Sequence, residues 1–228
     1  MLPYIAIIIP HIIWKIFKAA SDLHFNQQVS LTTIESEKAA NEAALKELTD
    51  AGPNIVLREP GARHIENIPL NDGHVVILTA QFIKVRFVNK PAKNSSNAIA
   101  HDVSAKIKFF NENEELVLEM DGRWDDKDQP TLRHFTQSQR DLLLTDFAIE
   151  EERNLDIAFM DSSTGQFVAF NNDNYRCQDF KKLEHVLRGS RFTAQIRLVA
   201  VHVDATYSVE FRRTGLRGNI EIVSEVHV

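Results

Sequence analysis

The sequence predicts a mainly β protein: an antiparallel sandwich or barrel of about eight or nine strands preceded by N-terminal helices. Three observations predict it. From Asn54 onward apolar residues recur with period 2 in short runs. Gly, Asn, Asp and Pro separate those runs, and each run has one apolar face, as in an antiparallel sheet resting on a core. Before Asn54 the apolar period is helical instead. The expected organisation is an apolar anchor helix over 1–20, a helical stalk over 21–52 and the β domain over 53–228.

The first element reads LPYIAIIIPHIIWKIF, sixteen residues from Leu2 to Phe17. That is a little short of the roughly twenty residues that cross a bilayer core. Its aliphatic side chains favour insertion by on the order of 3–5 kcal/mol in sum, and Lys15 can snorkel from near the end. A tight or tilted transmembrane span is one reading. A second is a helix lying in the interface: Ile5, Ile8, Ile9, Ile12, Ile13 and Ile16 form one stripe, opposite Tyr4, Ile7, His11, Trp14, Lys15 and Lys18. A third is a helix packed on protein. A cleaved secretory signal is disfavoured, because no Lys or Arg precedes the run while Lys15 and Lys18 follow it. The expected membrane-contacting residues are Ile5, Ile8, Ile9, Ile12, Ile13, Trp14, Ile16 and Phe17. If the segment spans, the cationic flank places the β domain on the cytoplasmic side.

Residues Leu31–Thr49 predict a second helix. Thr33 and Ser36-Glu37 offer capping chemistry, the run from Lys38 to Leu48 is Ala-rich, and Glu42–Lys46 has favourable i, i+4 order. Its apolar positions Ile34, Leu45 and Leu48 are sparse, which suits a solvated stalk or a short coiled-coil contact. Gly52-Pro53 ends it.

Strands follow at Ile55–Leu57, Val75–Asn89, Val103–Phe109, Leu116–Met120, Leu155–Phe159, Phe167–Phe170, Phe192–Leu198, Tyr207–Phe211 and Ile220–Val226. Asp121-Gly122 reads as a turn. The interruptions are a polar loop over Lys90–Asn97 and a long polar stretch over Asp125–Thr145 with a turn of helix near Gln137–Leu143. A short amphipathic helix is expected over Asp179–Arg188.

A net charge of −6 supplies no global field for phosphate backbones, so nucleic acid is not the expected partner. The single Cys177 cannot form an intramolecular disulfide and favours a reducing compartment. No phosphate-cradling glycine motif, zinc spacing or nucleophile elbow occurs, so neither a cofactor nor a catalytic residue is expected. Asp121, Asp125, Asp126 and Asp128 surround Trp124 but lack the spacing of a calcium loop. Trp124 itself, after Gly122-Arg123, is a candidate platform for a sugar or peptide; closing a hairpin over the core is the commoner use of such a ring.

Val85-Arg86-Phe87-Val88-Asn89, then Ala100-His101-Asp102-Val103 running into Lys106-Ile107-Lys108-Phe109, resembles the immunoglobulin-like sandwiches of prokaryotic membrane-anchored proteins of the CARDB and FxLYD kind. Gly122-Arg123-Trp124 and Leu187-x-Gly189 add to the likeness, whereas Lys90-Pro91-Ala92 departs from it. The resemblance implies an immunoglobulin-like sandwich in which Asn89 caps a turn and Ala100 packs where strands cross closely. It implies binding or scaffolding rather than catalysis.

These readings converge on a membrane-tethered, non-catalytic binding or adaptor module that meets the lipid bilayer through its first helix and recognises an unidentified protein partner. The alternatives are a carbohydrate-binding or sugar-active sandwich centred on Trp124, and a structural subunit of a membrane complex.

Overall fold

The computed structural model of the chain describes residues 3–69, 75–93, 96–130, 139–214 and 219–227. It divides into two compact units, Met1–Asp50 and Ala51–Val228.

The first unit is one helix, α1 (Pro3–Ala51), where two had been expected. No Gly or Pro occurs between residues 11 and 51, so nothing in the polar stretch 21–30 breaks the hydrogen-bond ladder. At 1.5 Å per residue α1 is about 70 Å long. Thr32 and Thr33 do not cap a new helix. Their hydroxyls donate to the carbonyls of Gln28 and Val29 at 2.7 and 2.9 Å, the back-bonding of mid-helix residues. An exposed ion pair joins Lys38 to Glu42, 3.9 Å apart; among the described residues none joins Glu42 to Lys46. Trp14 and Phe17 are exposed, and the Lys18 ammonium lies 5.4 Å from the Trp14 ring centroid. The side chains of Ile5, Ile8, Ile9, Ile12, Ile13 and Ile16 lie outside the described residues. Among the described residues no helix is long and apolar enough to cross a membrane. Pro10, His11, Lys15 and Lys18 interrupt the run, and polar residues follow from Ser21.

The second unit is mainly β: two antiparallel sheets, face to face, with twelve strands among the described residues. The strands are β1 (Ile55–Pro69), β2 (Val75–Asn89), β3 (Ala100–Phe110), β4 (Leu116–Asp121), β5 (Arg123–Trp124) and β6 (Leu144–Phe147). They continue with β7 (Glu152–Asp161), β8 (Phe167–Ala169), β9 (Val186–Leu187), β10 (Arg191–Ala200), β11 (Val203–Thr214) and β12 (Asn219–His227). One sheet runs β1-β2-β7-β8-β9, with β5 also on β7; the other runs β12-β11-β10-β3-β4, with β6 also on β3. Alternation along β2 sends Ile83, Val85 and Phe87 into the core between the sheets, where they meet Ile107, Phe109, Ile196 and Phe211.

β1 is five times the three-residue strand the sequence predicted. Glu59-Pro60-Gly61 reads as a breaker, yet Pro60 stands opposite Val85 in the ladder. β1 is an edge strand, so a residue without an N–H is tolerated on its outer side. Between β4 and β5 the chain passes from one sheet to the other at Gly122, whose amide donates to Ala105 O at 2.8 Å. A Cβ there would stand 2.9 Å from Ala105 Cβ and 3.0 Å from Leu155 Cδ1, so the crossing requires glycine. Asn89 fixes another corner from full burial: its Nδ2 donates to Ala98 O and Phe147 O at 2.6 and 3.1 Å, and its Oδ1 accepts from the Asn54 amide at 3.0 Å.

The expected helix over Asp179–Arg188 does not form. Asp179 and Phe180 have φ of 52° and 57°, which a helix cannot accommodate, and the segment is short 3-10 turns leading into β9. Leu183, expected on its apolar face, is exposed, while Phe180 and His185 are buried. The turns from Asn172 to His185 cover part of the outer face of the first sheet. Phe82, Phe159, Val168, Phe170 and Phe180 form a second, smaller core there.

Candidate ligand-binding cleft

Beside that second core a cleft of about 590 Å³ opens on the outer face of the first sheet. Its volume falls in the range of small-ligand and peptide pockets, about 300–1,000 Å³. A register shift in β7 creates its chemistry. Asp156 stands opposite Lys84 and Ala158 opposite Ile83, which leaves Ile157 as the extra residue. The bulge turns both Ile157 and Ala158 to the inner core and leaves Asp156 on the outer face. Asp156 faces Lys84 of β2 on one side and Arg123 of β5 on the other.

Three charges from three neighbouring strands thus meet in a nearly closed floor. Asp156 Oδ1 is 3.2 Å from Lys84 Nζ, and Asp156 Oδ2 is 3.8 Å from Arg123 Nε. The Arg123 and Asp156 side chains are 3 % and 7 % exposed. Arg123 Nη1 donates to Asn172 Oδ1 and Asp128 O at 2.8 and 3.3 Å, and Nη2 donates to Lys127 O at 2.8 Å. Its guanidinium carbon lies 4.9 Å from the Tyr175 ring centroid. Arg123 therefore holds the 127–128 turn against the sheet. Lys84 Nζ also donates to Asp125 Oδ2 at 3.2 Å, and Asn154 Nδ2 donates to the same oxygen at 3.1 Å.

Burial pushes the Asp156 carboxyl up, and the pull of Lys84 and Arg123 offsets this only in part. For Lys84 burial works the other way, but Asp156 and Asp125 outweigh it and its ammonium is raised. Burial likewise lifts the Tyr175 phenol, against the opposing charge of Arg123. Displaced ionisations gathered in one concave site are a physical marker of function. Ile65, Phe82, Phe170 and Tyr175 supply apolar and aromatic wall; Arg63, His64 and Lys127 lie toward the opening.

Trp124, the platform candidate, is in the core. It is fully buried, its Nε1 donates to Val103 O at 3.1 Å, and its ring meets Phe147 and Phe87 edge to face. No face of the ring is open to a sugar or peptide, so its commoner use is the observed one. Its neighbour Arg123, one residue back and so on the other side of the strand, reaches the cleft. The aspartates around it are directed to separate partners. Asp121 faces Lys106 at 3.6 Å, Asp125 takes Lys84 and Asn154, and Asp126 accepts from Thr145 at 3.0 Å. Among the described residues no group of His, Cys, Asp and Glu is arranged to hold a metal ion.

Sequence reasoning missed Lys84, Asp156 and Tyr175. The available signal was a charge inside an apolar strand: Phe82-Ile83-Lys84-Val85 and Leu155-Asp156-Ile157 each place one where the neighbours seek a core.

Comparison of the chain with protein-family models, with curated proteins and with solved structures finds no match.

Proposed function

We propose that this chain is a non-catalytic binding module whose sandwich, of immunoglobulin-like layout, recognises a protein partner at the cleft on the outer face of its first sheet. The observation that carries the reading is the Lys84–Asp156–Arg123 cluster in the cleft floor. Buried ion pairs contribute little net stability compared with apolar packing, so charge kept in this position points to recognition. Lys84 and Arg123 flank Asp156 at 3.2 and 3.8 Å, while Asp156 Oδ1 and Arg123 Nε make no hydrogen bond of their own, an arrangement that sets charge at a fixed place in the floor. Support for the immunoglobulin-like layout comes from Asn89, which staples a corner as the resemblance implies, and from Ala100, which is fully buried.

The same proposal places the module at a membrane surface, held by the apolar head of α1 lying in the interface. The isoleucine stripe, the exposed Trp14 and Phe17 and the adjacent Lys15 and Lys18 support this. The lone Cys177 fits a reducing, cytoplasmic side.

The recognition half is tested by a photo-crosslinking residue placed at Asp128, on the cleft rim, or at Glu119, on the outer face of the other sheet, in cells expressing the full chain. A discrete adduct from position 128 and none from 119 is the expected result; equal labelling from both would remove the cleft as the recognition site. Detergent-free fractionation tests the tether. Full-length protein that stays soluble, unchanged by deleting residues 1–20, would remove it.

A further inference from the structure

Resting on that reading, we infer that the cleft takes an acidic segment of its partner, one presenting a carboxylate next to an aromatic or branched aliphatic side chain. Charge and shape give the argument. The chain as a whole carries −6, yet four permanent cations line this cleft against three carboxylates. Two of the carboxylates and two of the cations are spent on one another. Asp156 is held between Lys84 and Arg123, and Asp125 between Lys84 and Asn154, which leaves Asp128 alone on the rim. The cations at the opening are less committed. Arg63 is exposed and has no carboxylate partner among the described residues, and Lys127, also in the lining, is half-buried.

A carboxylate entering here would meet Arg63 and Lys127, beside a Lys84 ammonium that already holds Asp125 and Asp156 at 3.2 Å each. The adjoining wall suits an apolar neighbour. Phe82 and Phe170 stand edge to face with centroids 5.1 Å apart, and Tyr175 packs on Phe170 at 5.5 Å. Arg123 keeps Tyr175 in place from behind. The cleft volume admits two or three residues of a peptide rather than an extended protein face. Arg63, His64 and Ile65 belong to β1, the edge strand of the first sheet, so a peptide seated here lies beside a strand edge.

The test titrates the full chain with two capped peptides of one apolar body and opposite charge, acetyl-Asp-Phe-Glu-Leu-amide and acetyl-Lys-Phe-Lys-Leu-amide. It follows backbone amides by NMR. The acidic peptide is expected to shift amides at 63–65, 84 and 123–129, and to bind at least about tenfold more tightly than the basic one, the ratio that one charge-assisted hydrogen bond supplies. That preference should shrink as salt is raised. The double variant Arg63→Glu/Lys127→Glu, which removes no described ion pair, should keep the spectrum of the folded chain and invert the preference. A basic peptide preferred by the wild type would overturn the inference while leaving the cleft as the recognition site. If neither peptide moves the cleft amides at millimolar concentration, the inference is overturned, and the Asp128 crosslink separately decides the recognition reading.

Discussion

Replacing Asp156 with Leu takes away the carboxylate that stands between two cations in the cleft floor. Lys84 keeps Asp125 at 3.2 Å, and Arg123 keeps its acceptors on Asn172, Lys127 and Asp128. The loss should therefore sit at the low end of the cost of breaking a buried pair, about 3 kcal/mol. Lys84→Met leaves Asp156 buried with only the more distant Arg123 guanidinium, 3.8 Å away. A similar loss of about 3 kcal/mol follows. Making both changes removes one charge and one counter-charge together, leaves Arg123 on its acceptors at Asn172, Lys127 and Asp128, and fills the space with apolar side chains. The double variant should lie within about 1 kcal/mol of the wild type, well short of the sum of the two single losses. For a domain of this size each single change should lower the melting temperature by about 6–12 °C, and the double change by no more than about 4 °C. Urea denaturation of the four proteins at pH 7 closes the cycle. Losses that simply add in the double variant would refute the reasoning, because the cluster would then be a net source of stability.

Three other substitutions probe the frame. Gly122→Ala forces a Cβ to within 2.9 Å of Ala105 Cβ at the sheet crossing and should cost about 1–3 kcal/mol, read as a lower urea midpoint with unchanged slope. Asn89→Ala strips partners from two buried carbonyls and the Asn54 amide, and should cost about 2–4 kcal/mol by the same assay. His185 is buried with Nδ1 3.0 Å from Asn174 Oδ1, and burial first, then Lys182, holds its pKa below the free value. The unfolded chain then binds a proton that the folded chain resists, so stability should fall as pH drops below about 6.5. His185→Gln, scanned by denaturant midpoint from pH 7 to pH 5, should flatten that slope; an unchanged slope would assign it to other groups.

Much of the second unit was legible because its strands bury one face. Val75–Asn89 is read from the sequence with the bounds the structure has, since period 2 and flanking turns leave no other register. Other parts were not, for separate physical reasons. β1 is hidden by Pro60 and Gly61, whose penalty vanishes at an edge. β6, inside the polar Asp125–Thr145 region and just beyond it, is only four residues long. In α1, the polar stretch 21–30 shows no apolar period to join the anchor to Leu31–Thr49, yet without Gly or Pro polarity alone breaks no helix. The cleft was the least legible. Its charges come from residues 84, 123 and 156, joined only by strand pairing and by a bulge that no local pattern announces. Trp124 drew attention as the most distinctive side chain nearby, and it is distinctive because the core needed it.

The central claim is that recognition happens over the Lys84–Asp156–Arg123 floor, and crosslinking from position 128 in the Lys84→Met/Asp156→Leu double variant tests it most directly. The account expects a folded protein with a near-normal melting temperature that no longer yields the adduct. An adduct of undiminished yield from that folded variant would contradict it.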